Sequence, residues 1–436
     1  MPLDLRPPES VREMKQLDHS AFQRKIGVPG LKVDAKHCSV LLKQLNKCLL
    51  NQPKLKNIVA DPGGDLKKKI VLLNTEVLLN EEQEELLKSC NCERVRYELS
   101  LGYDYWSSDQ ILRAVLPVDI GEVTTAFESV GHIAHMNLRE CQLSYKKLIG
   151  QVILDKNLPQ IKTVVNKVNS IDETYRFFQM ELLAGEDDMV ATVKERGCSF
   201  TFDFSKVYWN SRLQNEHKRL VDIFQKDEVI CDMFAGVGPF AIPAAKKGCV
   251  VYANDLNPKS FAALVKNCQV NRVEKYVHCF NMDAREILKH LLQKDRRLCF
   301  DHVIMNLPAT AVEFLDVFRG LYRIVKPLEV GDETGTGVES TTKLPRVHCY
   351  CFSKAEDPVL DTKLQVSSRL GVVELEHCEV HNVRSVAPKK MMMCVSFRLP
   401  QEVAFDEHDC GGSARKRDQS EEGVTSDEFT KRAKVV

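Results

Sequence analysis

No sign of charge dominates this chain: 61 Lys and Arg face 61 Asp and Glu over 436 residues, a formal net charge of +0. That balance excludes a simple polycation and says nothing about local basic patches. None of the 16 cysteines stands in a CxxC pair, which argues against structural zinc, and no metal ligand set is expected. Several fall inside predicted strands (Cys231, Cys249, Cys349, Cys351, Cys394), as small buried residues of a reducing compartment do. No segment approaches the roughly 18 uninterrupted apolar residues that span a bilayer, so no membrane partner is expected. No internal repeat is visible. The first residues, MPLDLRPPESVREMKQLDHSAFQRK, mix acids with arginines; transit peptides are poor in acids, so the stretch is a poor one. What is present is a globular composition, 44% hydrophobic and 28% charged, in a length that holds two or three domains.

Residues 1–20 are rich in proline and charge and are expected to be poorly ordered. Residues 21–117 form a small α/β module: LLKQLNKCLL and EEQEELLKSC are predicted helices, KKIVLLNTE and ERVRYELSLG strands, and ADPGGD a turn. Ser107 or Ser108 is the predicted N-cap of the next helix. Tyr103, Tyr105 and Trp106 suit either core packing, the expected role, or stacking on nucleobases. A middle domain follows over 118–209. FESVGHIAHMNLRE is predicted as one strand carrying His132 and His135, with no carboxylate or cysteine at ligand spacing. The next stretch carries Lys146, Lys147, Lys156, Lys162 and Lys167 against only Asp155, which fits either a solvated helix face or a phosphate-binding surface. Arg176 stands among apolar neighbours and is expected to make an ion pair or hold an anion. A domain over 210–400 begins with the helix SRLQNEHKRLVDIF, where Arg212, Lys218 and Arg219 crowd around Glu216. Residues 401–436 are predicted to be a disordered charged tail.

The centre of the chain is Val229–Pro258, VICDMFAGVGPFAIPAAKKGCVVYANDLNP. It has the pattern of strand, glycine turn, helix, strand and acidic turn. Gly236 and Gly238 let backbone approach a ligand closely. Pro239 is predicted as the first helical residue and Gly248 as the stop. Three readings fit: a βαβ unit whose glycines only turn the chain, a dinucleotide site matching G-x-G-x-x-A, and a site for S-adenosylmethionine. Asp232 favours the third, because a carboxylate ahead of the glycines repels pyrophosphate but suits a cationic sulfonium bearing an ammonium group. Asp255, Asp283 and Asn306 are each expected at a strand end. In an open parallel sheet such ends share one crevice.

With Asn306-Leu307-Pro308 added to DMFAGVGPF, DLNP and SKVYWNSRL, the chain resembles the archaeal and eukaryotic tRNA (guanine-37-N1)-methyltransferases from about residue 25 to 400. The resemblance implies a class I, Rossmann-like S-adenosylmethionine-dependent methyltransferase domain of α/β class, preceded by two smaller RNA-recognition modules. It implies catalytic roles for Arg176, Glu216, Asn306 and Pro308. Cofactor contacts fall on His217, Asp232, Gly236, Gly238, Asp255, Leu256, Asp283, Ala284 and Asn306. The partner implied is tRNA, held at its anticodon loop and outer corner, with Lys146, Lys147, Lys162 and Arg212 as phosphate contacts. The implied enzyme works as a monomer in cytoplasm and nucleus, and in the mitochondrial matrix where members carry a targeting extension. N1 of guanine bears a proton at neutral pH, so its methylation needs a base. A desolvated Glu216 suits that task, and Arg176 suits the charge that then spreads onto O6. Enzymes acting on exocyclic amines carry a related Asn-Pro-Pro, and a relative transfers the aminocarboxypropyl group of the same cofactor. A silent tRNA binder and a dehydrogenase complete the alternatives.

Overall fold

The computed structural model describes residues 3–76, 78–171, 178–325, 328–329, 340–341, 343–375 and 377–407. Strands β1 (Arg24–Asp34), β2 (Ile58–Ala60), β3 (Lys68–Leu72) and β4 (Glu93–Leu101) form an antiparallel sheet in the order β2-β3-β1-β4. Helices α1 (Cys38–Gln44), α2 (Glu81–Ser89) and α3 (Ser108–Val115) connect and follow them. Both α2 and α3 open with reciprocal caps, Asn80 with Gln83 and Ser107 with Gln110. The helix predicted over LLKQLNKCLL stops at Gln44 because Leu49 and Leu50 leave it to bond the sheet: Leu50 N–H donates to Leu72 O at 3.0 Å.

The opening residues are not loose where they are described. Val11 is fully buried, Glu13 N–H donates to Val115 O at 2.6 Å, and the Trp106 indole donates to Leu5 O at 2.7 Å. The apolar Leu5, Val11 and Leu17, spaced among the charges, provide that anchor.

Strands β5 (Glu128–Val130), β6 (Ile133–Met136), β7 (Thr163–Ile171) and β8 (Phe178–Gly185) make a second sheet in that order, backed by α4 (Lys146–Asn157). The single strand predicted over FESVGHIAHMNLRE is instead the β5–β6 hairpin, because Gly131 takes φ +58° and reverses the chain. One apolar core, including Trp106, Val152, Ile153 and Val164, serves both this sheet and the N-terminal one. Next comes the hairpin β9 (Val190–Glu195) and β10 (Cys198–Asp203).

Helix α5 (Gln214–Ile223) leads into β11 (Val229–Asp232), α6 (Ala241–Lys246), β12 (Val250–Asn254), α7 (Pro258–Asn271), β13 (Val277–Phe280), α8 (Ala284–Lys294) and β14 (His302–Met305). The short pair β15 (Leu328–Glu329) and β16 (Ser340–Thr341) precedes β17 (Arg346–Ser353), α9 (Pro358–Leu370), β18 (Glu379–Ala387), β19 (Lys390–Arg398) and α10 (Gln401–Ala404). The seven-stranded sheet has the order β13-β12-β11-β14-β17-β19-β18. Pairs β12–β13, β11–β14 and β14–β17 are parallel, whereas β19 runs antiparallel to both neighbours. This is the expected Rossmann-like α/β layer. All four residues of β14 are buried, which explains its apolar run.

Helix α6 begins two residues later than predicted. Gly238 N–H is spent on Ala235 O (2.9 Å) within the turn, so Phe240 becomes the N-cap and Pro239 stays outside the helix. Residues 401–407 also depart from the expected tail: Val403 and Ala404 of α10 are buried, and Gly320 N–H donates to Val403 O at 2.9 Å. Residues 408–436 lie outside the described ones. The chain divides into two compact units, residues 1–226 with 235–281, and 227–234 with 282–436.

Candidate functional site

In the first unit the glycine turn is built from backbone. Gly236 (φ +56°) and Gly238 (φ +100°) both occupy the left-handed region. A Cβ on Gly236 would meet nothing within 4 Å, so its outer face is open to a ligand. A Cβ on Gly238 would lie 2.8 Å from Ile242 Cδ1 and 2.9 Å from Leu264 Cδ1, so that glycine serves packing. Asp255 follows the last residue of β12. Its Oδ2 accepts from Gly236 N–H (2.8 Å) and its Oδ1 from Asn257 N–H (2.9 Å). Burial raises its carboxyl above the ordinary range, against the pull of those two bonds. Leu256 is 45% exposed. Asn281, which sequence reasoning missed, donates from Nδ2 to Asp255 O (2.7 Å) and Leu256 O (2.9 Å) and fixes this loop.

Glu216 lies in the first turn of α5 and is 5% exposed. Of the three cations expected around it, only Arg219 closes on it: Nε donates to Oε2 at 2.7 Å and Nη2 to Oε1 at 2.6 Å. Spacing of three along a helix permits that fork. Arg212 pairs with Glu128 and Lys218 with Asp222. Glu216 is therefore buried with a partner, not as a lone desolvated acid. Beside it His217, 4% exposed, bonds through Nδ1 to Glu195 Oε1 at 2.8 Å. Phe240 meets the ring edge-on, with centroids 4.9 Å apart. A cavity of about 200 Å³ touches Glu195, Phe200, His217 and Pro239.

In the second unit Asp232 ends β11 fully buried, and Ala284 is buried at the start of α8. Asp283 departs from its expected place: β13 stops at Phe280, and Asp283 caps α8 by accepting from Arg285 N–H at 2.8 Å. Asn306 directly follows β14. Its Oδ1 is buried and has no hydrogen-bond partner among the described residues. Pro308 lines a cavity of about 450 Å³ with Thr310, Glu313, Phe352, Gln365 and Arg369.

The basic stretch does not form one solvated face. Lys146 pairs with Glu181 (2.7 Å), and Lys147 donates to Leu182 O (2.7 Å). Lys156 packs over the Tyr103 ring at 3.9 Å, and Lys167 is buried enough that its ammonium titrates below the usual range. Lys162 is exposed. His132 bonds to Asp188 O (3.2 Å), while burial drives the imidazole of His135 down to about 3. No metal-binding group exists among the described residues. No helix of the described residues is long and apolar enough to cross a membrane. Arg176 lies outside the described residues.

The family model described as TRM5/TYW2 methyltransferase domain matches residues 191–326, and the TYW2 N-terminal domain matches 108–188. The tRNA (guanine(37)-N(1))-methyltransferase of Xenopus tropicalis is 46% identical over 433 residues, covering 95% of this chain and 85% of that one. Crystallographic Trm5b from Pyrococcus abyssi superposes with a TM-score of 0.55 at 25% identity, covering 85% of this chain and 99% of the other. The complex of aTrm5 with tRNALeu gives a TM-score of 0.60 at 24% identity, with the same coverage of both chains.

Proposed function

This chain belongs to the family of tRNA (guanine(37)-N(1))-methyltransferases, and from that premise we propose that it methylates N1 of guanine-37 in the anticodon loop of tRNA. It is an S-adenosylmethionine-dependent enzyme. The residues present fit that cofactor. Gly236 leaves an open approach, Asp255 presents a carboxylate for ribose hydroxyls, and Asp232 supplies negative charge for an ammonium group. His217, Leu256, Asp283, Ala284 and Asn306 complete the proposed holding set, and Gly238 shapes the turn behind Gly236. When bound, the cofactor supplies an electrophilic methyl group on a sulfonium.

The observation that carries the acceptor side is the buried, unpartnered carbonyl of Asn306. A buried acceptor without a donor costs about 1–3 kcal/mol, and an N–H on the edge of an extruded guanine would relieve that cost. The rigid Leu307-Pro308 backbone would then fix the angle of the base. Glu216 takes the N1 proton, held in a fixed orientation by the Arg219 fork. Arg176 stabilises the charge that develops on O6. The base leaves the loop stack to reach these groups, which costs a few kcal/mol drawn from tRNA binding. Lys162, exposed, is the best-placed phosphate contact of the basic stretch; Lys146, Lys147 and Arg212 have to exchange their internal partners to join it. One chain is sufficient for this chemistry.

The test is the pH dependence of single-turnover methyl transfer. Wild type shows a rate that rises with pH until the base is ionised. Glu216→Gln retains cofactor binding, loses rate and flattens that rise. An unchanged rate and profile would remove Glu216 as the base.

A further inference from the structure

We propose that the β9–β10 hairpin belongs to the methyl-donor site, with Glu195 as the residue that positions His217. The proposal rests on the reading that His217 faces the cofactor.

Two sets of bonds lead to it. The first attaches the hairpin to the glycine turn. Ser199 N–H donates to Asn271 Oδ1 (3.0 Å), and Asn271 Nδ2 returns a bond to Ser199 O (2.7 Å). Thr201 N–H donates to Asn267 Oδ1 at 2.8 Å, and Asn267 Nδ2 donates to Val237 O at 3.1 Å. A wholly buried amide thus joins hairpin backbone to the carbonyl between Gly236 and Gly238. Lys246 at the end of α6 also donates to Gly197 O (2.6 Å) at the hairpin tip, where Arg196 and Gly197 take φ +50° and +74°.

The second set is the pair itself. Glu195, the last residue of β9, and His217 have side chains 8% and 5% exposed, and Oε1 lies 2.8 Å from Nδ1. A carboxylate only accepts, so Nδ1 carries the proton and Nε2 is the nitrogen left for a ligand. The ring is held further by Phe240, which begins the segment after Gly238-Pro239, and by Trp209, 6.4 Å away between centroids. Burying a carboxylate is costly unless it is bonded. Here that cost fixes one nitrogen and one ring orientation next to the proposed base. A carboxylate behind a ligand-holding imidazole has the same effect in metal sites, where it sets the tautomer and direction of the ring.

The full chain is tested by equilibrium binding of S-adenosylmethionine without tRNA, alongside KM for each substrate. Glu195→Ala weakens cofactor binding about tenfold, the loss expected for one buried charge-assisted hydrogen bond. It raises KM for the cofactor by the same factor and leaves KM for tRNA unchanged. Glu195→Gln keeps an acceptor oxygen and loses less; it also carries the test if the alanine variant does not fold. Glu195→Ala combined with His217→Ala binds no worse than His217→Ala alone. Unchanged cofactor affinity in the Glu195 variants overturns the proposal, as do additive losses in the double variant or an equal rise in both KM values. If His217→Ala itself binds cofactor like wild type, the reading of His217 fails. If only that variant weakens binding, the positioning role of Glu195 alone is overturned.

Discussion

Asp255 and Asn306 occupy matching places, each the first residue after a parallel strand, yet their polar atoms are treated in opposite ways. Both Asp255 oxygens already accept backbone N–H groups. Asn306 keeps a buried carbonyl with no donor among the described residues. One strand end is completed by the chain's own backbone, and the other keeps an acceptor that the proposed function assigns to a base edge. A donor side gains from being rigid beforehand, because little ordering entropy is then lost on binding. An acceptor side that must discriminate gains from a polar atom satisfied only by the correct base, because a wrong base leaves it unpaired.

The sharpest break would come at Asn306. Asn306→Ala is expected to lower single-turnover rate by about two orders of magnitude, the scale of one lost positioning donor or acceptor, with a smaller loss of cofactor affinity by equilibrium dialysis. Equal losses in both would end the distinction between the two strand ends. Gly236→Ala comes next. Its Cβ enters open space, so the variant should lose cofactor binding by about tenfold or more where backbone approach is blocked, and lose less stability than Gly238→Ala because only its left-handed backbone, and no crowding, opposes the alanine. Gly238→Ala should do the reverse and destabilise by about 1–3 kcal/mol through strain and crowding against Ile242 and Leu264, read from denaturant midpoints.

Asp255 gives a pH test. Its carboxyl titrates above the ordinary range because of burial. Protonation therefore sets in earlier on acidification than for a surface carboxylate, and a protonated acid accepts fewer ribose hydroxyl bonds. Cofactor affinity should fall as pH drops through that raised value, and Asp255→Asn should remove the dependence. For folding the sign is opposite: a raised acid favours the folded state below its own titration and loses that contribution as pH rises. The smallest effect is expected at Lys162. Lys162→Glu should reduce the slope of log affinity for tRNA against log salt by about 0.9 for each phosphate no longer neutralised, and the already paired Lys146 should change it less.

The glycine turn, the flanking strands and the Asn-Leu-Pro end were legible because each depends on residues close in sequence. Periodicity gives β11, β12 and β14, and a Gly-x-Gly in a turn has few alternatives. Asp283 was misjudged because a residue three positions past a strand can equally cap the next helix, and capping won. The hairpin at Gly131 was missed because its first arm is only the three residues Glu128–Val130, and the glycine between the arms was absorbed into one alternating run. Strand β18 was missed for a different reason: as an edge strand it exposes Glu379, Asn382 and Ser385, and register irregularities break its alternation. The Glu195–His217 pair, 22 residues apart, depends on where a hairpin ends relative to a helix. Local pattern does not encode that.

The most direct measurement is base-resolved mapping of label transferred from methyl-labelled S-adenosylmethionine to tRNA transcripts bearing guanine or adenine at position 37. Label on N1 of guanine-37, absent from the adenine transcript, is the predicted result. Label on an exocyclic amine, or transfer of the aminocarboxypropyl group in place of methyl, would contradict the account and leave Glu216 without a proton to take.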